Sequence, residues 1–466
     1  RLSKMIDDLE SNIMQEDNVE STSNKYSLKR FDLPFTQQNI NLLSMSVSKK
    51  YIFLVTENSE LLRMESDTLK PIHQAYSIES SSIIGDNEFQ ENITKIWTDR
   101  EGNHSIIRYN NKIYYFNSLG SFVKELNSFK KIEVCAVGFD DRNDSTDKTG
   151  SFLVTDYYNN IYEGNINIIG KIDSNGDYQI KDTLEKLTTL NFTNWDSEDD
   201  DEELKRKDND RIYGIKFFKA TKKDLDEKHD DSHYIIIVTK NKFYQLRGPG
   251  SLKQILGSYG QDPSSFNDAC KYFPLKQRRK AKFKGTDLDM LYKKETRKIE
   301  ENKASEIDVF YQFGWKTETG YCFGQFIYDY NSKSTGLPFN QSKFNVIPFA
   351  KITDRGLKET GDEPISVILT LNHIFILYKE CLSIISKLTS NIINTLYFQT
   401  EFHQILYDEF AKDNGVILLT SKNGLYQISL KDENNDIWKD YLEIGDYLKA
   451  QNFCDSEKLK KKINRL

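Results

Sequence analysis

Residues 234–246 read Tyr-Ile-Ile-Ile-Val-Thr-Lys-Asn-Lys-Phe-Tyr-Gln-Leu. A β-branched run, a short polar turn and a second run with aromatic residues make a β-hairpin. Ile235-Ile-Ile-Val238 is apolar at every position, so both faces of that strand must be covered. Three further stretches repeat the arrangement clearly: Tyr51–Met64, Ser151–Tyr162 and Gly415–Ile428. Ser105–Phe116, Phe310–Phe326 and His373–Ile385 repeat it more loosely.

The seven copies start at 51, 105, 151, 234, 310, 373 and 415, at spacings of 54, 46, 83, 76, 63 and 42 residues. A propeller blade takes ~40–50 residues, so each short step holds one blade. The long steps contain charged insertions: Asp196–Glu203 and Lys222–Asp231 in the 83-residue step, and Lys276 to about Lys303 in the 76-residue step. Runs of this kind stay solvated and predict loops. A lone four-stranded blade cannot cover both of its faces, whereas seven arranged around an axis can. The expected class is all-β, a seven-bladed β-propeller, with a pair of β-sandwiches as the rival.

Three segments are expected. Residues 1–25 form a polar lead in which Ile6, Leu9 and Ile13 carry helical spacing, residues 26–430 the propeller, and residues 431–466 a helical region. In the last, Ile437, Trp438, Tyr441 and Leu442 recur at i, i+1, i+4 and i+5, with Asn435 or Asp436 as cap. Gly445-Asp446 interrupts, and Tyr447–Cys454 gives a second helix. Two short helices after a propeller read as the start of an α-solenoid. The first residue is Arg1 rather than Met, so a piece of a longer protein is expected.

The 466 residues carry 64 Lys plus Arg against 71 Asp plus Glu, a net charge of −7. That balance disfavours a chain-wide nucleic-acid surface. Cys135, Cys270, Cys322, Cys381 and Cys454 are far apart and form no Cys-x-x-Cys pair. They read as reduced thiols of a reducing compartment rather than a disulfide or zinc framework. No apolar run reaches the ~20 residues that span a bilayer.

Candidate chemistry is sparse. His229 and His233 stand four apart in a polar insertion and read as loop residues rather than metal ligands. Asp196–Glu203 lacks the alternating spacing of a calcium loop. Gly248-Pro-Gly250 is a turn, with no Gly-Lys-Ser/Thr to make it a phosphate loop. No hydrolase, metalloprotease or nucleophile-elbow motif is present, so the chain reads as non-enzymatic. The sharpest electrostatic feature is Lys276-Gln-Arg-Arg-Lys-Ala-Lys-Phe-Lys284. Its Lys276, Arg278, Arg279, Lys280, Lys282 and Lys284 form a solvated segment offset by Glu295, Glu300 and Glu301, or else a contact for anionic lipid or an acidic partner. Nucleic acid is the weaker alternative.

Asn435-Asp-Ile-Trp-Lys-Asp-Tyr-Leu-Glu-Ile-Gly-Asp-Tyr-Leu-Lys-Ala450, running on to Cys454, resembles the propeller-to-solenoid junction of the deep-orange (vacuolar protein sorting eighteen) family. Trp438, Tyr441 and Leu442 carry that junction pattern. Upstream, Ile93–Ile96, Gly102–His104, Lys148–Val154 with Ile161–Glu163, Tyr213–Ile215 with Phe243–Leu246, and Glu363–His373 resemble its blades in order. The acidic and basic insertions depart from that pattern. The resemblance implies a shared subunit of the HOPS and CORVET membrane tethers, peripheral on late endosomes and the lysosome or vacuole. Other tethering subunits would be its partners, with SNAREs and Rab GTPases engaged indirectly. It implies no cofactor in this chain, the family's zinc-binding RING lying further on. The alternative is a propeller-solenoid scaffold of a coat or nuclear pore, and after it a propeller enzyme.

Overall fold

The computed structural model describes residues 26–31, 33, 41–78, 94–119, 122–172, 178–190, 192, 211–220, 232–272, 285, 288–300, 303–317, 320–325, 343–349, 364–411, 415–422, 424–430, 433–454 and 456–464. Expectations for residues 1–25, for the acidic runs at 196–203 and 222–231, for His229 and for the basic stretch 276–284 lie outside them.

The strands form seven four-stranded antiparallel sheets. Every hairpin read from the sequence is the middle pair of a blade. In the first blade, Tyr51–Thr56 and Glu60–Glu65 lie between Leu42–Val47 and Pro71–Ser77. The fourth blade runs Gly214–Ala220, Ser232–Val238, Phe243–Pro249, Cys270–Tyr272. Each sheet starts at the axis and steps outward in chain order, except for the outermost strand of the seventh. There Phe402–Asp408, Val416–Ser421 and Gly424–Ser429 are completed by Leu28–Phe31 from the other end of the chain, in the register Leu28↔Ile428 to Phe31↔Leu425. This strand closes the ring.

The core consists of seven wedges, one between each pair of neighbouring blades. Ile235 and Ile237 face the third blade, while Ile236 and Val238 face the fifth. The alternation follows from the period-2 pleat, and it explains why the run Ile235–Val238 carries no polar position. Ile52 and Leu54 likewise pack toward the seventh blade, Phe53 and Val55 toward the second. Polar contacts reinforce the seventh-to-first seam. Met45 N–H donates to Gln404 Oε1 at 2.9 Å, Gln404 Nε2 returns a bond to Met45 O at 3.1 Å, and Ser66 Oγ donates to the Asp408 carboxylate at 2.7 Å.

Three regions differ from the sequence reading. The charged stretch before the fifth hairpin is not all loop: Leu288–Glu300 is a strand paired along Lys303–Lys316. Its backbone is satisfied by that ladder, so charged residues do not prevent the strand. A second long ribbon joins Asn160–Ile172 to Tyr178–Thr189 in the third blade. Helices α1 (Leu252–Gln261) and α2 (Pro263–Asp268) interrupt the fourth blade. Ser251 and Gln254 form a capping box at the start of α1, and Leu252, Ile255, Leu256 and Phe266 close over Tyr244 at the outer end of a wedge. The Phe266 and Tyr244 rings stack 4.4 Å apart.

Helices α3 (Ile437–Glu443), α4 (Tyr447–Phe453) and α5 (Glu457–Ile463) follow the last blade. The first two stand where helical spacing placed them. Gly445 between them takes φ +82°, a conformation only glycine adopts cheaply. Among the described residues no helix is long and apolar enough to cross a membrane.

Candidate functional site

Polar side chains gather in the axial channel and at the seam between the sixth blade and the terminal helices. The channel is a consequence of topology. The innermost strand of each blade faces the axis, so residues remote in sequence meet there.

Toward one end, a cavity of about 240 Å³ is lined by the innermost strands and by Ser48, Arg100, Asp141 and Glu409 just beyond four of them. The Arg100 guanidinium lies over the Tyr292 ring at 4.0 Å. The Tyr292 hydroxyl bonds to Asp141, beside Lys216 and Arg100. Glu409 accepts from the Tyr292 N–H at 3.4 Å. Burial pushes the Asp141 carboxyl above its usual range, against the pull of Lys216, Tyr292 and Arg100. These residues come from the second, third, fourth, fifth and seventh blades, and the network stitches them together.

At the other end, a cavity of about 290 Å³ is lined by the beginnings of the innermost strands. Its lining includes Lys95, Arg108, Arg211 and Lys316, with Tyr157 and Asp289. Arg108 is buried, donating to Val134 O at 2.9 Å and to Glu133 at 3.2 Å. Tyr157 is flanked by the guanidinium groups of Arg211 at 4.5 Å and Arg108 at 5.8 Å, attracted by the ring's negative face. Cys135 also lines this end, and burial pushes its thiol up to about 12, so it is no nucleophile.

The seam centres on Glu433, just before α3. Its carboxylate accepts from Thr370 Oγ1, from Asn372 N–H at 3.2 Å and from His373 Nδ1 at 2.9 Å. Only 1% of Glu433 and 2% of His373 are exposed. Burial raises the Glu433 pKa, but the bonds from His373, Thr370 and Asn372 outweigh it and hold the carboxyl below its ordinary value. Lys387 joins the network, donating to Thr370 O at 2.8 Å and Gln312 Oε1 at 2.6 Å. Burial pulls its amine down to about 7. Further along, Ser386 Oγ donates to Asp440 at 2.7 Å and Asn391 Nδ2 to Glu443 at 2.9 Å. The loops of the sixth blade thus hold α3.

Trp438, Tyr441 and Leu442, singled out from the sequence, all lie on α3. Trp438 and Leu442 are buried against Ala450, Cys454 and Ile463, with Tyr441 alongside. Asp436 stands at the helix cap but makes no capping side-chain bond. The glutamate that anchors the helix was missed, because its partners lie some 60 residues away.

The histidines divide by surroundings. His104 is buried, and its ring bonds to the Tyr115 hydroxyl at 2.6 Å and to Ser145 O at 2.9 Å. His233 is in a strand, with Nδ1 bonded to Gly250 O at 3.0 Å. Among the described residues no group of three or more His, Cys, Asp or Glu could hold a metal ion.

A seven-bladed ring of four-stranded antiparallel sheets with a helical tail defines a β-propeller. The model of the Pep3/Vps18/deep orange β-propeller domain matches residues 24–430, and the chain belongs to that family. Vacuolar sorting protein 18 of Arabidopsis thaliana is 22% identical over 242 residues, which is 48% of this chain and 20% of that protein. The match therefore spans about a fifth of that relative's length. Among solved structures, the Cps50 (Swd1) β-propeller domain of Myceliophteria thermophila superposes with a TM-score of 0.46 at 9% identity, covering 84% of this chain and 99% of that one. The WD40 domain of SCAP from fission yeast gives 0.44 at 10% identity, covering 88% and 100%. Neither likeness adds to the ring seen directly in the chain.

Proposed function

We propose that this chain is the propeller head of a non-enzymatic subunit of a membrane-tethering complex of the HOPS or CORVET type. It acts in endosome-to-lysosome or vacuole traffic, in vesicle docking and fusion, as a protein-interaction scaffold. The family match over residues 24–430 carries this reading, and the name of the Arabidopsis relative agrees with it. In this reading α3 to α5 begin an α-solenoid, and Trp438, Tyr441 and Leu442 seal its first turn. The Glu433 seam then sets the angle at which the solenoid leaves the head. Direct partners are the other tethering subunits, with SNAREs and Rab GTPases reached through them. The site of action is the cytoplasmic face of late endosomes and the lysosome or vacuole. The basic stretch Lys276–Lys284 would meet anionic lipid or an acidic partner there.

The channel supports a scaffold over an enzyme. Asp141 is engaged by Tyr292, Lys216 and Arg100, and Asp289 accepts from the Tyr321 hydroxyl at 2.7 Å. An acid–base pair would instead face open space where a substrate could enter. The test is affinity purification of the full-length protein from its own cells, with mass spectrometry of its companions. Stoichiometric recovery of other tethering subunits is expected. Recovery of coat or nuclear-pore proteins would overturn the reading and leave only the propeller.

A further inference from the structure

The two ends of the channel differ in charge. At the end stitched by Tyr292, Lys95, Arg100 and Lys216 are matched by Asp141, Asp289 and Glu409, and Lys95 and Asp289 reach the other cavity too. At the other mouth, Lys95, Arg108, Arg211 and Lys316 line the cavity, and among the described lining residues Asp289 is the one carboxylate. Asp289 is bonded to Tyr321, Arg108 to Glu133 and Lys316 to Pro364 O, while the Lys95 amine and the Arg211 guanidinium lie over the Trp97 and Tyr157 rings. Desolvation lowers the pKa of His403, which also lines this mouth, so it adds no charge at neutral pH. A concave, low-dielectric site lined mainly by one sign of charge focuses potential and draws in the opposite sign.

The cations are spread over the second, fourth and fifth blades rather than converging on one point. That spacing suits a row of carboxylates better than one small anion. Tyr157 lines the mouth between two of them, and Tyr158, the next residue in the chain, is 79% exposed. Tyr and Arg together are characteristic of protein-binding surfaces. We propose that this mouth seats an acidic peptide segment of a partner protein, its carboxylates meeting Arg211 and, deeper in, Lys95, and an adjoining apolar side chain resting on Tyr158. Arg108 lies 5.8 Å from the Tyr157 ring. The assignment deepens the scaffold reading by giving the head a docking point and a partner chemistry.

The test is fluorescence anisotropy on the purified chain with a labelled peptide alternating Glu with Leu. Circular dichroism and melting establish that each variant folds. Saturable binding is expected, weakened at least about tenfold by Lys95→Glu or Arg211→Glu, unchanged by Lys461→Glu on α5, and reduced by salt. Tyr158→Ala should weaken it with little change in salt dependence. No saturable binding, or binding indifferent to the Lys95 and Arg211 reversals, would overturn the proposal. So would equal competition by inorganic pyrophosphate, or preference for phosphatidylserine vesicles, which would assign the mouth to a small anion or a membrane. Binding only after the acidic residues of 196–203 are replaced by Asn and Gln would make the mouth the seat of that run, and the partner assignment would fall. None of these outcomes depends on which complex is recovered by affinity purification, so the two readings fail separately.

Discussion

Glu433 shows how one side chain fixes the relation between two parts of the chain. Removing one member of a buried charged network strands the others, and the cost is ~3–5 kcal/mol. Glu433→Ala should lower stability to denaturant by about that amount. Glu433→Gln, which keeps an acceptor for Thr370 and Asn372, should cost about 1–3 kcal/mol. The pH response follows from the depressed pKa. The unfolded carboxyl titrates near 4.5 and the folded one lower. Its stabilisation is therefore complete above pH 4.5 and lost as the pH falls through the folded value. Denaturant titrations between pH 7 and 3.5 should show wild type losing stability on acidification more steeply than Glu433→Gln. Equal slopes would mean that the His373 bond contributes nothing to the shift.

Among elements, the short strand Leu28–Phe31 and Tyr26, two residues ahead of it, close the ring. Tyr26 is 1% exposed and meets Phe375 edge-on at 5.8 Å, within the wedge between the sixth and seventh blades. Emptying so large a buried site costs ~3–5 kcal/mol. Tyr26→Ala should lower the melting temperature by several degrees, and removal of residues 26–31 should cost more. A melt of the shortened chain indistinguishable from wild type would show that the ring closes without this strand. The helical tail behaves as a separate element. Leu442→Ala should cost ~2–5 kcal/mol, confined to α3–α5, whose small cluster holds only Trp438, Leu442, Ala450, Cys454 and Ile463 with their neighbours. Hydrogen exchange should then show residues 437–463 losing protection while blade strands such as Ile374–Leu377 keep theirs. Loss of protection throughout would mean that the tail and the ring unfold together.

At the scale of the whole molecule, the blades were legible because their information is local. A hairpin declares itself through its own turn, and the unbroken apolar run Ile235–Val238 already states that two layers cover it. The junction helix was legible for the same reason, since Ile437, Trp438, Tyr441 and Leu442 share a face within six residues. Even α1 had a local signal, the Ser251-Leu-Lys-Gln254 capping box, that passed unread beside the Gly248-Pro-Gly250 turn. The sequence by itself thus determined the number of blades, the all-β class, the change to helix after residue 430 and the family resemblance. Only the tertiary structure decided that Leu28–Phe31 pairs with Gly424–Ser429 across almost the whole chain, that Glu433 reaches back to Thr370 and His373, and that Lys95, Arg211 and Lys316 share one channel mouth. Those contacts join residues tens to hundreds of positions apart, where spacing along the chain carries no signal, and they exist only because the ring closes.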